Sequence, residues 1–436
     1  MFLQNAIAKR IDDNNPVKVA LIGAGKFGSM FLSQVPSTKG IEVLVIADLK
    51  PDNAVKACKN VGWSDDLINK TKFVDTGADA IKLNEVEVVI EATGFPAAGI
   101  EHARQAFQNG KHIIMVNVEA DVLAGAALAK EANSVGVVYS MAYGDQPALT
   151  AEIVEWARAS GFNVTSAGKG TRYQPIYHKS SPDTVWDYYG LTHEEARKAG
   201  MNPKMFNSFL DGTKSGLEMA AIANACDLEV PTNGLLFPPC GMDDLANILK
   251  PLEFGGLLEK NGQVEVVSSL ERDGRPVFKD LRWGVYAVLE APNDYAASCF
   301  KQYGMNTDDT GKYSAMYKPF HLIGMELNIS VFSAALLNQA TGQTKKFTGD
   351  VVSTTKKNLK KSEILDGEGG ATVWGKLVPS RVSLSMEALP IGLAHGIKLK
   401  NEIEENKIIT WNDVDFSSND PAISYRRKME KDFKKS

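Results

Sequence analysis

Cysteine is scarce in this chain: Cys58, Cys226, Cys240 and Cys299 are the only four in 436 residues, and no two form a C-x-x-C. That spacing argues against a structural zinc site or a disulfide framework. It fits a reducing, cytoplasmic setting in which all four are buried free thiols. Long apolar runs are missing too, which argues against a membrane span. The first fifteen residues, MFLQNAIAKRIDDNN, have too short an apolar part and too much acid for a secretory signal, and read as a short helix before the first strand. Nor is there an excess of positive charge. A net charge of −5 provides no general basic field for nucleic acid or anionic lipid, so neither is expected as a partner. The one basic cluster closes the chain: Arg426, Arg427, Lys428, Lys431, Lys434 and Lys435 read as a solvated, frayed end. No zincin, nucleophile-elbow or P-loop spacing occurs.

What is present begins at residues 17–30. Val17, Val19, Leu21 and Ile22 predict a buried strand that runs into Gly23-Ala24-Gly25-Lys26-Phe27-Gly28, a G-x-G-x-x-G, followed by a helix from Ser29. A second apolar run, 41–47, ends at Asp48, about twenty residues beyond Gly28. Gly23 permits the tight turn, Gly25 lets backbone approach a pyrophosphate, and Gly28 lets the helix sit close on the sheet. The helix N-terminus then offers N–H groups to phosphate. Lys26 and Phe27 belong to the same cradle. Strand, glycines, helix and spaced acid together specify a dinucleotide site.

Residues 1–150 alternate strand and helix: strands at 72–74, 86–92, 111–118 and 137–140, and helices at 51–61, 95–108 and 123–132. This order means a doubly wound parallel sheet, a Rossmann domain, with ligands at the carboxyl ends of its strands. Thr93, Gly94 and Asn117 lie at those ends. Residues 151–345 change character, to helices at 151–159, 194–199 and 217–225 and strands within 263–291, and read as an α+β catalytic domain. Residues 346–436 read as a lysine-rich linker, a small separate β-rich module and the basic tail.

Four segments concentrate reactive side chains. In 142–147, Asp145 is a metal or substrate ligand, or the cap of the helix that starts near Pro147. In the loop-like 167–181, Lys169, Arg172, His178, Lys179, Ser180 and Ser181 gather donors suited to phosphate or carboxylate. Gly168 and Gly170 there free the backbone around Lys169 to approach a ligand. In 209–219, Lys214 and Glu218 share one helical face, as an exposed ion pair or as a proton-shuttling lysine with Glu218 or Asp211 on a metal. His321 and Glu326 lie in 317–327, where a satisfied structural histidine is the simpler expectation.

The fingerprint together with ATGFPAAG, VNVEADV, GDQP, DGTK, ERDGRPV, YKPFHLIGMEL and LPIGLAHGIKLK spans nearly the whole chain. These motifs resemble the homoserine-dehydrogenase-like oxidoreductases that carry a C-terminal SAF domain. Within that group they are similar to the 1-deoxy-D-xylulose 5-phosphate reductoisomerase-like enzymes. The resemblance implies a Rossmann domain, a central catalytic domain that mediates homodimerisation, and a SAF module near the end. It also implies NADPH-dependent conversion of 1-deoxy-D-xylulose 5-phosphate to 2-C-methyl-D-erythritol 4-phosphate, an isoprenoid precursor, with a divalent cation (Mg or Mn). The alternative is a plain NAD(P)-dependent dehydrogenase of homoserine or another small hydroxy acid or polyol. For that reaction, Lys169, Arg172, Lys179, Ser180 and Ser181 are expected to anchor the phosphate. Asp145, Asp211 and Glu218 hold the metal, and Lys214, with Lys169, Asp211 and Glu218 around it, moves the proton. Asp48 favours NAD through a ribose hydroxyl, whereas Lys50 suits a 2′-phosphate, and the resemblance tips the expectation to NADP(H).

Overall fold

A computed structural model describes residues 3–434, and the chain divides into two compact units. The first runs to residue 152 and regains 321–345; the second comprises 153–320 and everything from 346 on.

The first unit is a six-stranded sheet: β1 (Val17–Ile22), β2 (Ile41–Ala47), β3 (Lys72–Val74), β4 (Val88–Glu91), β5 (His112–Met115) and β6 (Tyr139–Met141). All neighbours are parallel, in the order β3-β2-β1-β4-β5-β6. The chain reverses direction across the sheet between β1 and β4, so the carboxyl ends there form a topological switch point. These strands are near-continuous apolar runs because helices cover both faces. The helix Val118–Ser134 starts five residues earlier than the apolar pattern suggests, because Asn117 Oδ1 accepts the Ala120 N–H at 3.0 Å and caps it. Segment 321–345, read from sequence as part of the central domain, packs here instead. Its helix Asn328–Leu337 places Leu327, Val331 and Phe332 in one core with Val19, Leu21 and Phe31.

In the second unit, β7 (Asn163–Thr171) is central to a four-stranded sheet with β8 (Gln263–Ser268), β9 (Val285–Glu290) and β10 (Tyr313–Lys318), in the order β10-β9-β7-β8. One face packs on the short helix Leu245–Ile248 through Leu245, Leu249, Tyr286 and Val288. The other packs on the helix Thr213–Cys226, in which every residue but Lys214 is buried. That helix is enclosed because β11 (Gly349–Thr355) and β13 (Val373–Pro379), an antiparallel pair, cover its far side; Gly216 there would bring a Cβ to 3.1 Å from the Gly375 carbonyl oxygen. The remaining short strands are β12 (Ile364–Asp366), β14 (His395–Leu399) and β15 (Val414–Asp415), in the order β12-β14-β15. Strands β11 and β13 therefore pack on the central sheet's helix instead of standing apart.

The tail differs most from its sequence reading. Residues 421–434 form a helix, and Arg426 is fully buried, with Nη2 2.5 Å from Asp350 Oδ2 and Nε 2.9 Å from Glu430 Oε1. Its guanidinium carbon lies over Phe347, 5.0 Å from the ring centroid. Lys435 lies outside the described residues. Removing one partner of a buried pair strands the other charge, at a cost of roughly 3–5 kcal/mol. Arg426→Ala is therefore expected to lower the urea midpoint substantially, whereas exposed Lys431→Ala shifts stability by no more than about 0.5 kcal/mol. Equal midpoints for the two variants would restore the frayed-tail reading.

Candidate functional site

At the switch point of the first unit, Gly23 has φ of +97°, and a Cβ there would lie 2.7 Å from the Ala92 carbonyl oxygen. A Cβ on Gly28 would overlap the Gly23 carbonyl oxygen, so the helix rests directly on the turn. Gly25 differs: a Cβ there meets nothing within 4 Å. Two glycines are thus demanded by the protein's own backbone, and the third leaves open space where a pyrophosphate would approach. The helix Lys26–Gln34 begins at Gly25 with no side-chain cap, so no side chain claims the leading N–H groups, Lys26 and Phe27 among them. A dinucleotide fits this cradle.

Asp48 sits at the end of β2, where its Oδ2 accepts the Ala24 N–H at 3.2 Å and its Oδ1 the Lys50 N–H at 3.0 Å. The carboxylate ties the glycine turn to the next loop, and the Lys50 side chain is exposed beside it. Leu49 between them is 92% exposed. Thr93 and Gly94 follow β4, and Asn117 Nδ2 donates to the Phe95 carbonyl at 3.0 Å, clamping that loop. Glu91 was missed from sequence. It is a fully buried carboxylate at the end of β4, with Oε1 3.3 Å from His102 Nδ1 and Oε2 unpartnered. Its signal is the second of two acids, after Glu87, in the otherwise apolar run VEVVIEA.

In the second unit, Lys169 is on β7, and its ammonium pairs with Glu218 from the helix Thr213–Cys226. Both side chains are buried. The flanking glycines do not open the backbone to a ligand. A Cβ on Gly168 would overlap the Glu265 carbonyl oxygen, and one on Gly170 the Leu281 carbonyl oxygen. Protein backbone fills both spaces. Glu265 itself is buried enough that its carboxyl is pushed up to about 7, against the pull of the N–H groups of Val266, Leu236 and Phe237.

The other donors read from sequence do not converge on Lys169. Asp211 Oδ2 accepts from Lys356 Nζ at 2.7 Å, and Oδ1 from the Thr213 N–H at 2.9 Å. Lys356 also donates to the carbonyls of Ser180 and Gly370, each at 2.7 Å, so all three of its N–H groups are used. Ser180 Oγ donates to Asn207, exposed Lys179 pairs with half-buried Glu405 at 2.7 Å, and the Ser181 N–H and side chain bond with Thr184. His178 lies between Tyr173 and Asp211: Nδ1 donates to the Asp211 carbonyl at 2.7 Å, and Nε2 accepts from the Tyr173 hydroxyl at 2.9 Å. Burial lowers its pKa and keeps it neutral.

The metal expectation is corrected accordingly. Asp145 belongs to the first unit, where its Oδ1 accepts the Gln146 N–H at 2.9 Å at the start of the helix Gln146–Ala159. Asp211 and Glu218 are each engaged by a buried lysine. Among the described residues no three His, Cys, Asp or Glu side chains gather as a metal group. The proposed ligands do not fit a divalent cation. Lys214 is half-buried at the start of its helix, while Glu218, its expected partner, faces Lys169.

Two family models match in succession. Residues 23–142 match one described as homoserine dehydrogenase, NAD binding domain, and residues 144–327 match one described as oxidoreductase DRL, catalytic domain. No curated protein shows a significant match. Among solved structures, a 3-ketoreductase from Actinomadura kijaniata in complex with NADP is 16% identical over 37% of this chain and 50% of its own, with a TM-score of 0.26. A myo-inositol dehydrogenase from Lactobacillus casei is 16% identical over 39% and 50%, with a TM-score of 0.30. A levoglucosan dehydrogenase is 15% identical over 69% and 66%, with a TM-score of 0.31. The chain thus spans about half the length of the first two. The family matches make it an NAD(P)-dependent oxidoreductase. In the described residues no helix is long and apolar enough to cross a membrane.

The three fingerprint glycines should separate experimentally. Gly25→Val is expected to leave the melting temperature of the nucleotide-free protein within about 1 °C, since its side chain enters open space, while weakening dinucleotide binding at least about tenfold. Gly28→Ala is expected to lower the melting temperature by several degrees. Titration calorimetry and thermal melts distinguish the two, and undiminished binding by Gly25→Val would remove the cradle assignment.

Proposed function

We propose that the chain interconverts a carbonyl and a hydroxyl group on a small, polar substrate, with NADP(H) as hydride carrier and Lys169 as proton donor and acceptor. The observation that carries this reading is the buried Lys169–Glu218 pair on the central strand of the unit whose sequence matches an oxidoreductase catalytic domain. A bound nicotinamide supplies or accepts the hydride. As a carbonyl is reduced, its oxygen gains negative charge, and the Lys169 ammonium hydrogen-bonds to it and gives up a proton. Glu218 holds Nζ in one orientation. Burial strengthens these interactions, because little water competes for them.

Support for NADP(H) comes from Asp48 and Lys50. Both Asp48 oxygens already accept backbone N–H groups, while the Lys50 side chain is exposed beside them and suits a 2′-phosphate. Within this class, the motif resemblance favours 1-deoxy-D-xylulose 5-phosphate as substrate and 2-C-methyl-D-erythritol 4-phosphate as product. Lys169 would then serve the final reduction of the rearranged aldehyde. Oxidation of homoserine or another hydroxy acid is the competing reaction, with no skeletal rearrangement.

NADPH oxidation with 1-deoxy-D-xylulose 5-phosphate, run with and without EDTA, tests the reading. Turnover is expected to be insensitive to EDTA. Lys169→Met should lower kcat by about 10³ with NADPH affinity unchanged, within the range of a lost acid–base group. The double variant Lys169→Met/Glu218→Gln avoids a stranded buried charge and should be folded but equally inactive. Lys50→Ala should narrow the NADPH-over-NADH preference. Full activity of Lys169→Met would refute the mechanism, and turnover on homoserine alone would select the dehydrogenase.

A further inference from the structure

Arg172 and Arg282 of the second unit are among the arginines that have no carboxylate ion pair in the described residues. Arg172 immediately follows β7; its Nη2 donates to the Tyr188 carbonyl at 3.1 Å, and its Nε is buried without a hydrogen-bond partner. Arg282 lies in the loop before β9, with its guanidinium 4.6 Å from the Trp283 ring centroid. The nearby acid in that loop, Asp280, accepts the Arg282 backbone N–H at 2.8 Å.

The backbone brings these two residues to one place. Gly170 has no room for a Cβ, which would overlap the Leu281 carbonyl and lie 2.9 Å from the Arg282 nitrogen. Its N–H donates to the Gly284 carbonyl at 3.1 Å. The end of β7 and the loop 281–284 therefore run side by side. Tyr189, closing the helix Val185–Tyr189, lies within electrostatic reach of both guanidiniums, which pull its phenol pKa down against the upward push of burial. Its ring is fixed by Trp186 and Phe206, at centroid distances of 6.4 and 5.6 Å. Neither guanidinium is held in an ion pair, and two such cations near one phenol repel each other unless an anion joins them. Guanidiniums are the side chains suited to bidentate bonding of phosphate oxygens.

We propose that Arg172 and Arg282 form an anion subsite that holds the phosphate monoester of the substrate, with the Tyr189 hydroxyl as a further donor. The identification of that anion as part of the substrate rests on the carbonyl–hydroxyl chemistry proposed for Lys169. Three residues of extended chain, about 10 Å, separate the backbones of Arg172 and Lys169, which is the scale of a short sugar phosphate. A phosphate dianion, more than a carboxylate, matches the two uncompensated positive charges. The subsite replaces the wider donor set of Lys169, Lys179, Ser180 and Ser181 read from sequence.

Calorimetric titration of the full chain with inorganic phosphate, in the presence of saturating NADP⁺ to occupy the dinucleotide cradle, tests the subsite without turnover. Wild type should bind phosphate, with sulfate competing. Arg172→Met and Arg282→Met should each weaken it at least about tenfold, and Tyr189→Phe by a few-fold. Arg172→Lys and Arg282→Lys should fall between, since charge is kept and the bidentate fork is lost. Exposed Lys431→Ala should bind as wild type does. Phosphate affinity unchanged in the arginine variants, absent in wild type, or displaced by acetate more readily than by sulfate would overturn the proposal. Phosphate binding without turnover on any ketose phosphate would instead fault the reaction and leave the subsite standing.

Discussion

Four of the places where backbone meets backbone with no space for a Cβ set the positions of this protein's chemical groups. Gly23 against Ala92 and Gly28 against Gly23 fold the end of β1 into a turn on which a helix N-terminus sits. Gly168 against Glu265 and Gly170 against Leu281 draw β7 tightly between its neighbours. In the first unit the result is a cradle with one open side, at Gly25. In the second it is a central strand that carries Lys169 between two immovable positions and delivers Arg172 beside the loop 281–284. Any side chain at these glycines would push a strand end outward and move the groups with it.

A second constraint is the treatment of buried charge. Desolvating a carboxylate costs several kcal/mol, so each must be matched by a cation or by donors in good geometry. The pairs Lys169–Glu218, Asp211–Lys356, Asp308–Lys250 and Asp350–Arg426 satisfy this in the second unit. The same requirement explains why acids that look like metal ligands in sequence are not available as such. Lys356 is the clearest instance: its three N–H groups fasten Asp211, Ser180 and Gly370 together, which makes Asp211 an anchor between helix and turn.

What sequence reading recovers, and what it misses, divides by the range of the interaction. The parallel strands of the first unit are legible because full burial writes them as apolar runs, and the cradle is legible because its glycines are close in sequence. Strand β7 is only half legible. NVTSAGKGT carries two glycines that weaken strand propensity, and their reason lies in Glu265 and Leu281, about a hundred residues away. Lys356 sits in a lysine-rich stretch that looks solvated, and its partner Asp211 is 145 residues distant. Arg426 and Asp350 are separated by 76 residues, and the basic composition around Arg426 conceals that one of its charges is needed inside. The return of 321–345 to the first sheet is invisible for the same reason. An apolar helix states that it must be buried, but not against which sheet.

The helix Thr213–Cys226 connects these themes. Small residues dominate it (TKSGLEMAAIANAC) because it is enclosed on both sides, by β7 and β8 on one and by β11 and β13 on the other. Thr213 Oγ1 accepts the Gly375 N–H at 2.8 Å, and Gly216 abuts the Gly375 carbonyl, so β13 sets where the helix begins and how closely it lies. Glu218 is carried one turn further along. The orientation of the carboxylate that holds Lys169 therefore depends on strands more than a hundred residues later in the chain. A C-terminal region that looks detachable in sequence is, on this packing, the outer wall against which the Lys169–Glu218 pair is aligned. Its removal would expose the apolar face of that helix and release Glu218 together with it.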